Sequence, residues 1–134
     1  MKKFQLNENV PVHCQEVDSF PNGITEAFNE LAKKFPPSNG RNYYGISYMD
    51  KSGKIVYKVA AQKIEKDNTA GYESFVIPKG EYLSEKISNW REHLQDIAGT
   101  FDKLMKDPHM DKNIPCIEWY KTNEEMLCLV KAKE

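Results

Sequence analysis

The chain has 134 residues, 40% of them hydrophobic and 29% charged, which is ordinary globular usage and sets aside disorder and fibrous classes. Nineteen Lys and Arg nearly balance 20 Asp and Glu, for a formal net charge of -1, so no surface built to neutralise a nucleic-acid backbone is expected. No run reaches the roughly eighteen apolar residues of a membrane span, and Met1-Lys2-Lys3-Phe4-Gln5 does not lead into the apolar stretch of a signal peptide. A single domain covering residues 1–134, without membrane contact and in the cytoplasm, is the expectation.

Val10, Val12, Cys14 and Val17 alternate loosely as a first strand, closed by the turn-prone Ser19-Phe20-Pro21-Asn22-Gly23. Ile24, Ala27, Phe28, Leu31, Ala32 and Phe35 then recur at spacings of three and four, which predicts a helix with Asn22 as N-cap and Pro36-Pro37 as its stop. Residues 42–49 and 55–64 are rich in Tyr, Ile and Val around Asp50-Lys51-Ser52-Gly53, the signature of an antiparallel hairpin. Residues 72–77 and 82–87 read as extended, with Pro78-Lys79-Gly80 between them, and two strands or one kinked strand fit equally well. From Ser88 the period changes again: Trp90, Leu94, Ile97, Phe101, Leu104 and Met105 make one apolar stripe of a second helix that ends before Pro108. Residues 115–121 and 125–130 close the chain as a hairpin about Thr122-Asn123-Glu124.

In order, these elements are strand, helix, strand, strand, an extended segment, helix, strand, strand. The repeated order predicts an α+β domain of duplicated strand-helix-strand-strand units, an antiparallel sheet carrying both helices on one face. Along the helix stripes, Ile24, Phe28, Leu31, Trp90, Leu94 and Phe101 are the expected buried residues.

Cys14, Cys116 and Cys128 are odd in number, far apart and set among apolar neighbours, so they read as buried packing residues and not as a disulfide framework. His13, His93 and His109 are scattered, and neither a metal site nor a Ser-His-Asp arrangement is supported; no metal and no cofactor are expected. The informative stretch is Ile114-Pro115-Cys116-Ile117-Glu118-Trp119-Tyr120, where a carboxylate stands in the middle of an apolar, aromatic strand. Alternation puts Cys116, Glu118 and Tyr120 on one side and Ile117 and Trp119 on the other. If Ile117 and Trp119 pack on the helices, Glu118 faces the open side of the sheet, either as an exposed strand residue or as the acid of a ligand cleft. Tyr44, Tyr48, Tyr57, Tyr82 and Tyr120 lie on predicted strands and could line such a concavity, although core packing is the simpler role for Tyr57. Aromatic walls with one acid suit a flat organic cation.

The segment Phe75-Val76-Ile77-Pro78-Lys79-Gly80-Glu81-Tyr82, followed by Trp90 and then Pro115-Cys116-Ile117-Glu118-Trp119-Tyr120, resembles the GyrI-like small-molecule-binding domains. These also serve as effector-binding domains of AraC-type and MerR-type multidrug regulators. The resemblance implies a pseudo-twofold fold with a ligand cleft near the junction of its halves, and it carries a ligand-contacting role to Glu118, with Tyr120 and Tyr82 beside it. With Tyr44 and Tyr48 these make the expected ligand-binding set, for a small aromatic or cationic partner. The first strand starts within about ten residues of Met1, so no helix-turn-helix and no direct nucleic-acid contact are expected. The resemblance implies a stand-alone effector-binding or sequestering domain tied to transcriptional or drug-stress response. It also allows a hydrolase of a reactive aromatic xenobiotic with Glu118 as its catalytic carboxylate, or an inhibitory module acting on a protein partner.

Overall fold

The computed structural model describes residues 2–18, 23–37, 40–64, 67 and 71–133. Among them the elements run β1 (Lys2–Leu6), β2 (Val10–Glu16), α1 (Ile24–Lys34), β3 (Tyr43–Met49), β4 (Ile55–Gln62), β5 (Glu73–Ile77), β6 (Gly80–Ser88), α2 (Asp96–Met105), β7 (Cys116–Tyr120) and β8 (Glu125–Lys131). The domain is α+β, with every strand pairing antiparallel in one curled, eight-stranded sheet of order β1-β6-β8-β7-β3-β4-β2-β5. No described helix is long and apolar enough to cross a membrane.

Exchanging β1–β4 with β5–β8 reverses that strand order onto itself. The centre is the β3–β7 pair, in which Gly45 faces Glu118. Each edge strand crosses to the other half: β1 pairs with β6, and β5 with β2. The Pro78-Lys79-Gly80 segment therefore separates two strands far apart in the sheet, β5 at one edge and β6 next to the edge strand β1 at the other end. Gly80 takes φ 134°, a conformation that a side chain disfavours. The strand β1 has no counterpart in the sequence reading, because Lys-Lys-Phe-Gln-Leu is short and mostly polar; its role is to cover the β6 edge.

Both helices lie on the same face. Leu31 of α1 and its C-cap Phe35 pack with Tyr57, Val59 and Ala61 of β4, while Phe101 and Leu104 of α2 pack with Cys116, Cys128 and Val130. Register places these strand residues on one side of the sheet. The other face carries no helix, yet Val12, Ile77, Tyr82 and Ile117 on it are at most 1% exposed. The curl accounts for this: one apolar cluster on that face draws residues from all eight strands, from Phe4 on β1 to Phe75 on β5. A strongly twisted sheet of this size closes on its own side chains.

The second helix is shorter than its apolar stripe predicts. Strand β6 continues to Ser88, Asn89 adopts a left-handed conformation (φ 54°, ψ 45°), and Trp90–Glu92 form a single 3-10 turn before α2 starts at Asp96. Leu94, expected to be buried, is 56% exposed, and Trp90 is half-buried. The indole N–H of Trp90 donates to the Thr122 carbonyl at 3.0 Å, which ties this turn to the β7–β8 connection instead of to the helix axis. Leu31 and Phe101 are buried, and Ile24 and Phe28 half-buried. The expected N-cap Asn22 lies outside the described residues.

The C-terminal end of α1 is held by a compact knot. The ring of His13 stacks on Phe35 at 4.0 Å, with the Arg41 guanidinium 5.5 Å from the centre of the same Phe35 ring. Asp67 accepts two hydrogen bonds from Arg41 (2.8 and 3.0 Å) and one from the Ile64 amide (2.8 Å), and lies 2.8 Å from His13 Nε2. Arg41 also donates to the Pro36 and Gln62 carbonyls. These donors, Arg41 foremost, hold the Asp67 carboxyl well below the usual carboxylate range. Its stabilisation is therefore complete above the unfolded Asp pKa, near ~4, and is lost as pH falls below it. Asp67→Asn is expected to cost about 2 kcal/mol at pH 7 and to flatten the acid side of the stability curve. Parallel loss of stability in both proteins from pH 5 to pH 3, followed by chemical denaturation, would refute this role.

Candidate functional site

The site is built over a missing side chain. Gly45 sits in the middle of β3, paired with Glu118 on one side and Val59 on the other. Mid-strand glycine weakens a sheet unless another group needs its space. A Cβ at Gly45 would fall inside van der Waals contact with the Tyr57 hydroxyl and with Glu118 Oε1, and 2.9 Å from Tyr57 Cζ. Tyr57, two residues before Val59 on β4, leans over this gap and donates to Glu118 Oε1 at 2.5 Å. Tyr120, two residues beyond Glu118 on the same side of β7, donates its hydroxyl to that same oxygen, and the two phenol oxygens are 3.3 Å apart.

Glu118 is 7% exposed and Tyr57 2%. Burial pushes the Glu118 carboxyl above its ordinary value, and the hydrogen bonds from Tyr120 and Tyr57 only partly offset that push. Burial and the neighbouring carboxylate raise both phenols, so they remain protonated donors across the physiological range. Among the described residues no Lys, Arg or His is within ion-pairing distance of Glu118. Cys116 and Cys128, which flank it on β7 and β8, are buried free thiols raised to about 11 and about 12, and neither is available as a thiolate.

Both halves of the molecule close over this group. Phe28 of α1 meets the Tyr120 ring edge-on at 5.3 Å, and Trp90 of the 3-10 turn meets it at 4.9 Å and 62°. Tyr120 is thus boxed between two aromatic rings from separate elements, directly beside the carboxylate. Glu118 is not on a flat, wet surface.

The structure corrects the expected strand phase. Cys116, Glu118 and Tyr120 face the helices, while Ile117 and Trp119 face the helix-free side, where Trp119 packs on Phe4 at 5.8 Å and on Tyr44 at 6.5 Å. The physical reason is volume: the helix-free face is sealed by the curl around large apolar side chains, and the polar gap above Gly45 falls on the other side. The expected ligand-binding set therefore divides. Glu118 and Tyr120 come together, whereas Tyr44, Tyr48 and Tyr82 stand on the opposite face. Tyr82 is fully buried and donates to the Pro78 carbonyl at 2.6 Å. Tyr44 is buried, its phenol raised to about 12 by burial. Tyr48 is 39% exposed at the hairpin end, beneath the Lys58 ammonium. One concavity cannot hold all five residues.

Tyr57, assigned by the sequence to core packing, and Gly45, not singled out at all, complete the cluster in their place. The signal for Gly45 was its position in Tyr43-Tyr44-Gly45-Ile46, a glycine inside an otherwise bulky strand. Pairing it with Glu118 requires the sheet register, which no local pattern carries. Among the described residues no group of three metal-ligating side chains converges.

No protein-family model matches the chain, and no curated protein matches it in sequence. Solved structures do share its fold. An integron cassette protein from the mobile metagenome of Vibrio cholerae superposes with a TM-score of 0.73 at 10% identity, over 98% of this chain and 95% of the other. SAV2435 bound to tetraphenylphosphonium gives 0.65 at 13% identity, over 97% and 93%. A candidate bacterial transcription regulation protein from Staphylococcus aureus MU50 gives 0.60 at 11% identity, over 99% and 97%. The fold is therefore one found in a protein captured with a small organic cation.

The gap above Gly45 makes a direct prediction. Gly45→Ala is expected to destabilise the protein by about 1–3 kcal/mol through overpacking, and Tyr57→Phe in the same chain is expected to restore part of the loss by removing the hydroxyl in the way. A double-mutant cycle from urea unfolding measures this coupling. Strict additivity would mean that the glycine is not there to make room for the phenol.

Proposed function

We propose that this chain is a GyrI-like small-molecule-binding domain, a duplicated strand-helix-strand-strand unit that receives an aromatic organic cation at Glu118, with Tyr57 and Tyr120 orienting the carboxylate and Phe28, Tyr120 and Trp90 supplying aromatic surface. One observation carries this reading: a carboxylate more than nine-tenths buried, supplied with two phenol donors but with no cation among the described residues. A buried charge is costly, and two neutral donors lower that cost without removing it. A ligand bringing a delocalised positive charge and flat apolar surface relieves it, since the charge compensates the carboxylate and ring faces attract cations. The mirror-like strand order supports the duplication, and the shared fold with the tetraphenylphosphonium-bound protein supports the ligand class. As an effector-binding or sequestering domain inside the cell, it would couple such a molecule to a transcriptional or drug-stress response through a partner protein.

A second reading rests on the raised Glu118 carboxyl, which can exchange a proton nearer neutrality than an ordinary glutamate. In that reading the same group activates water against a reactive aromatic electrophile held by the rings. Glu118→Gln separates the two: a binder loses cation affinity, whereas a hydrolase loses turnover far more than affinity.

The test uses tetraphenylphosphonium and neutral triphenylphosphine oxide by calorimetry. Glu118→Gln is expected to weaken the cation by about tenfold or more, as one charge-assisted interaction is removed, and to leave the neutral compound nearly unchanged. Stability moves the other way. The folded pKa of Glu118 is raised, so its ionisation destabilises the fold progressively as pH climbs from the unfolded value, about 4.3, through the folded one. Glu118→Gln should therefore match or exceed the parent in melting temperature at pH 7, with the difference vanishing toward pH 4. Equal effects on both compounds, with no gain in stability, would remove Glu118 from the ligand site.

A further inference from the structure

Glu118 is buried, so any ligand that reaches it needs a way in. Tyr120, whose hydroxyl donates to the Glu118 carboxylate, is met by Phe28 and by Trp90, and these two rings are anchored very differently. Phe28 belongs to an unbroken helix, Ile24–Lys34, whose Leu31 and C-cap Phe35 are each 1% exposed and whose end is fixed by the His13, Arg41 and Asp67 knot. Trp90 belongs to no long element. It follows the left-handed Asn89, sits in a 3-10 turn of three residues, and precedes the start of α2 by six. Residues 91–96 are all exposed, Leu94 at 56%, so the segment itself contributes no buried side chain except the half-buried indole.

Its ties are few and at the surface. The Trp90 indole donates to the Thr122 carbonyl at 3.0 Å, the Trp90 amide to the Glu124 carbonyl at 3.3 Å, and the Arg91 guanidinium to Asn123 Oδ1 at 3.3 Å. All three end on the β7–β8 connection. The Arg91 guanidinium also lies 4.9 Å from the centre of the Trp90 ring, so Arg91 and the indole leave or return together. α2 does not share these ties; it is seated independently on β6 and β8 through Phe101 and Leu104.

We propose that residues 89–95 form a strap that pivots at Asn89 away from the β7–β8 connection, lifting Trp90 off Tyr120 and admitting an organic cation to Glu118 while α1 and α2 stay on the sheet. The proposal rests on the reading of Glu118 as the ligand carboxylate and adds to it the route of entry and the residue that controls it. Opening the strap exchanges its three hydrogen bonds to the β7–β8 connection with water and uncovers one half-buried ring, while the Asp96 and Ile97 amides, which donate to the His93 and Leu94 carbonyls at 2.9 and 3.3 Å, keep its far end attached to the start of α2. Opening on the Phe28 side requires displacing a helix with a buried stripe and the His13, Arg41 and Asp67 knot at its end. Local opening follows the weaker anchorage. The left-handed Asn89 is the natural pivot, because asparagine visits that region at small cost and the strand β6 before it is fixed by seven register pairs with β8.

Two measurements on the full chain test this. Without ligand, hydrogen exchange of the Trp90 amide is expected to be at least about tenfold faster than that of amides in α2 around Phe101 and Leu104, as for a separately opening segment. Equal protection would show that the strap does not move on its own and would overturn the proposal whatever the ligand chemistry. The second measurement uses Arg91→Cys with Asn123→Cys, two exposed positions, joined by a short bifunctional thiosulfonate that reductant releases; the native cysteines are buried. In a Trp119→Phe background Trp90 is the sole indole and reports binding of tetraphenylphosphonium in stopped flow. Bridging is expected to slow association by at least about tenfold, with recovery on reduction. The same rate in bridged and reduced protein would refute the strap while leaving the Glu118 reading intact. Failure of the cation to bind the unbridged protein would instead refute that reading, and the hydrogen-exchange result would still decide whether the strap opens.

Discussion

The pairing of β3 with β7 governs the rest of the structure. It joins the two halves of the sheet, sets the register in which Gly45 meets Glu118, and so decides that a carboxylate will be buried where a side chain is absent. Because the space over Gly45 is filled from both sides, by Tyr57 from β4 and by Glu118 from β7, the polar cluster spans the seam and belongs to neither half alone. A shift of one residue in that pairing would turn Glu118 to the helix-free face, away from the gap over Gly45 and the Tyr57 and Tyr120 hydroxyls and into closely packed large side chains. The buried acid is thus a strong constraint on register as well as the chemical centre of the site.

The two faces divide the work of the domain. The helix-free face is closed by large side chains from every strand and supplies a continuous apolar core. The helix face is interrupted: α1 and α2 each have their own cluster beneath them, and the acid and its phenols lie between. The continuous apolar core and the buried polar cluster are thereby separated across the thickness of one sheet. Substitutions at Tyr44 or Tyr82 would act on folding, while those at Tyr57, Glu118 or Tyr120 would act on folding and, under the proposed function, on ligand binding as well.

Much of the fold was legible in the sequence because it depends on local periodicity. The stripe from Ile24 to Phe35 and the hairpins around Asp50-Gly53 and Thr122-Glu124 are patterns of a few residues, and they lie close to where the sequence put them. Trp90 and Leu94 continue the apolar stripe of α2 at helical spacing, but spacing alone cannot register that the indole would be drawn to the Thr122 carbonyl, a contact 32 residues away. The site was half legible. Glu118 stood out because an acid in an apolar strand demands a partner, and Tyr120 followed by alternation. Alternation gives two faces without saying which one the helices cover, and that single missing bit placed Tyr44, Tyr48 and Tyr82 with the wrong neighbours. Gly45 and Tyr57 belong to the site only through pairings over long separations, 61 residues between Tyr57 and Glu118.

The crossing of the edge strands bears on how the chain acquires its shape. β1 finds its partner only in β6, where Phe4 aligns with Tyr82, and β2 is finished only when β5 pairs Ile77 with Val10. A first half emerging during synthesis therefore has its helix and hairpin but one open flank, and among the described strands β1 has no partner until β6 has been made. Closure has to wait for contacts between distant segments, which slows folding and lengthens the exposure of unpaired backbone. Once both crossings are made, neither half can open along its edge without disturbing the other. A sheet of symmetric order is in this way converted into one cooperative body, assembled late and all at once.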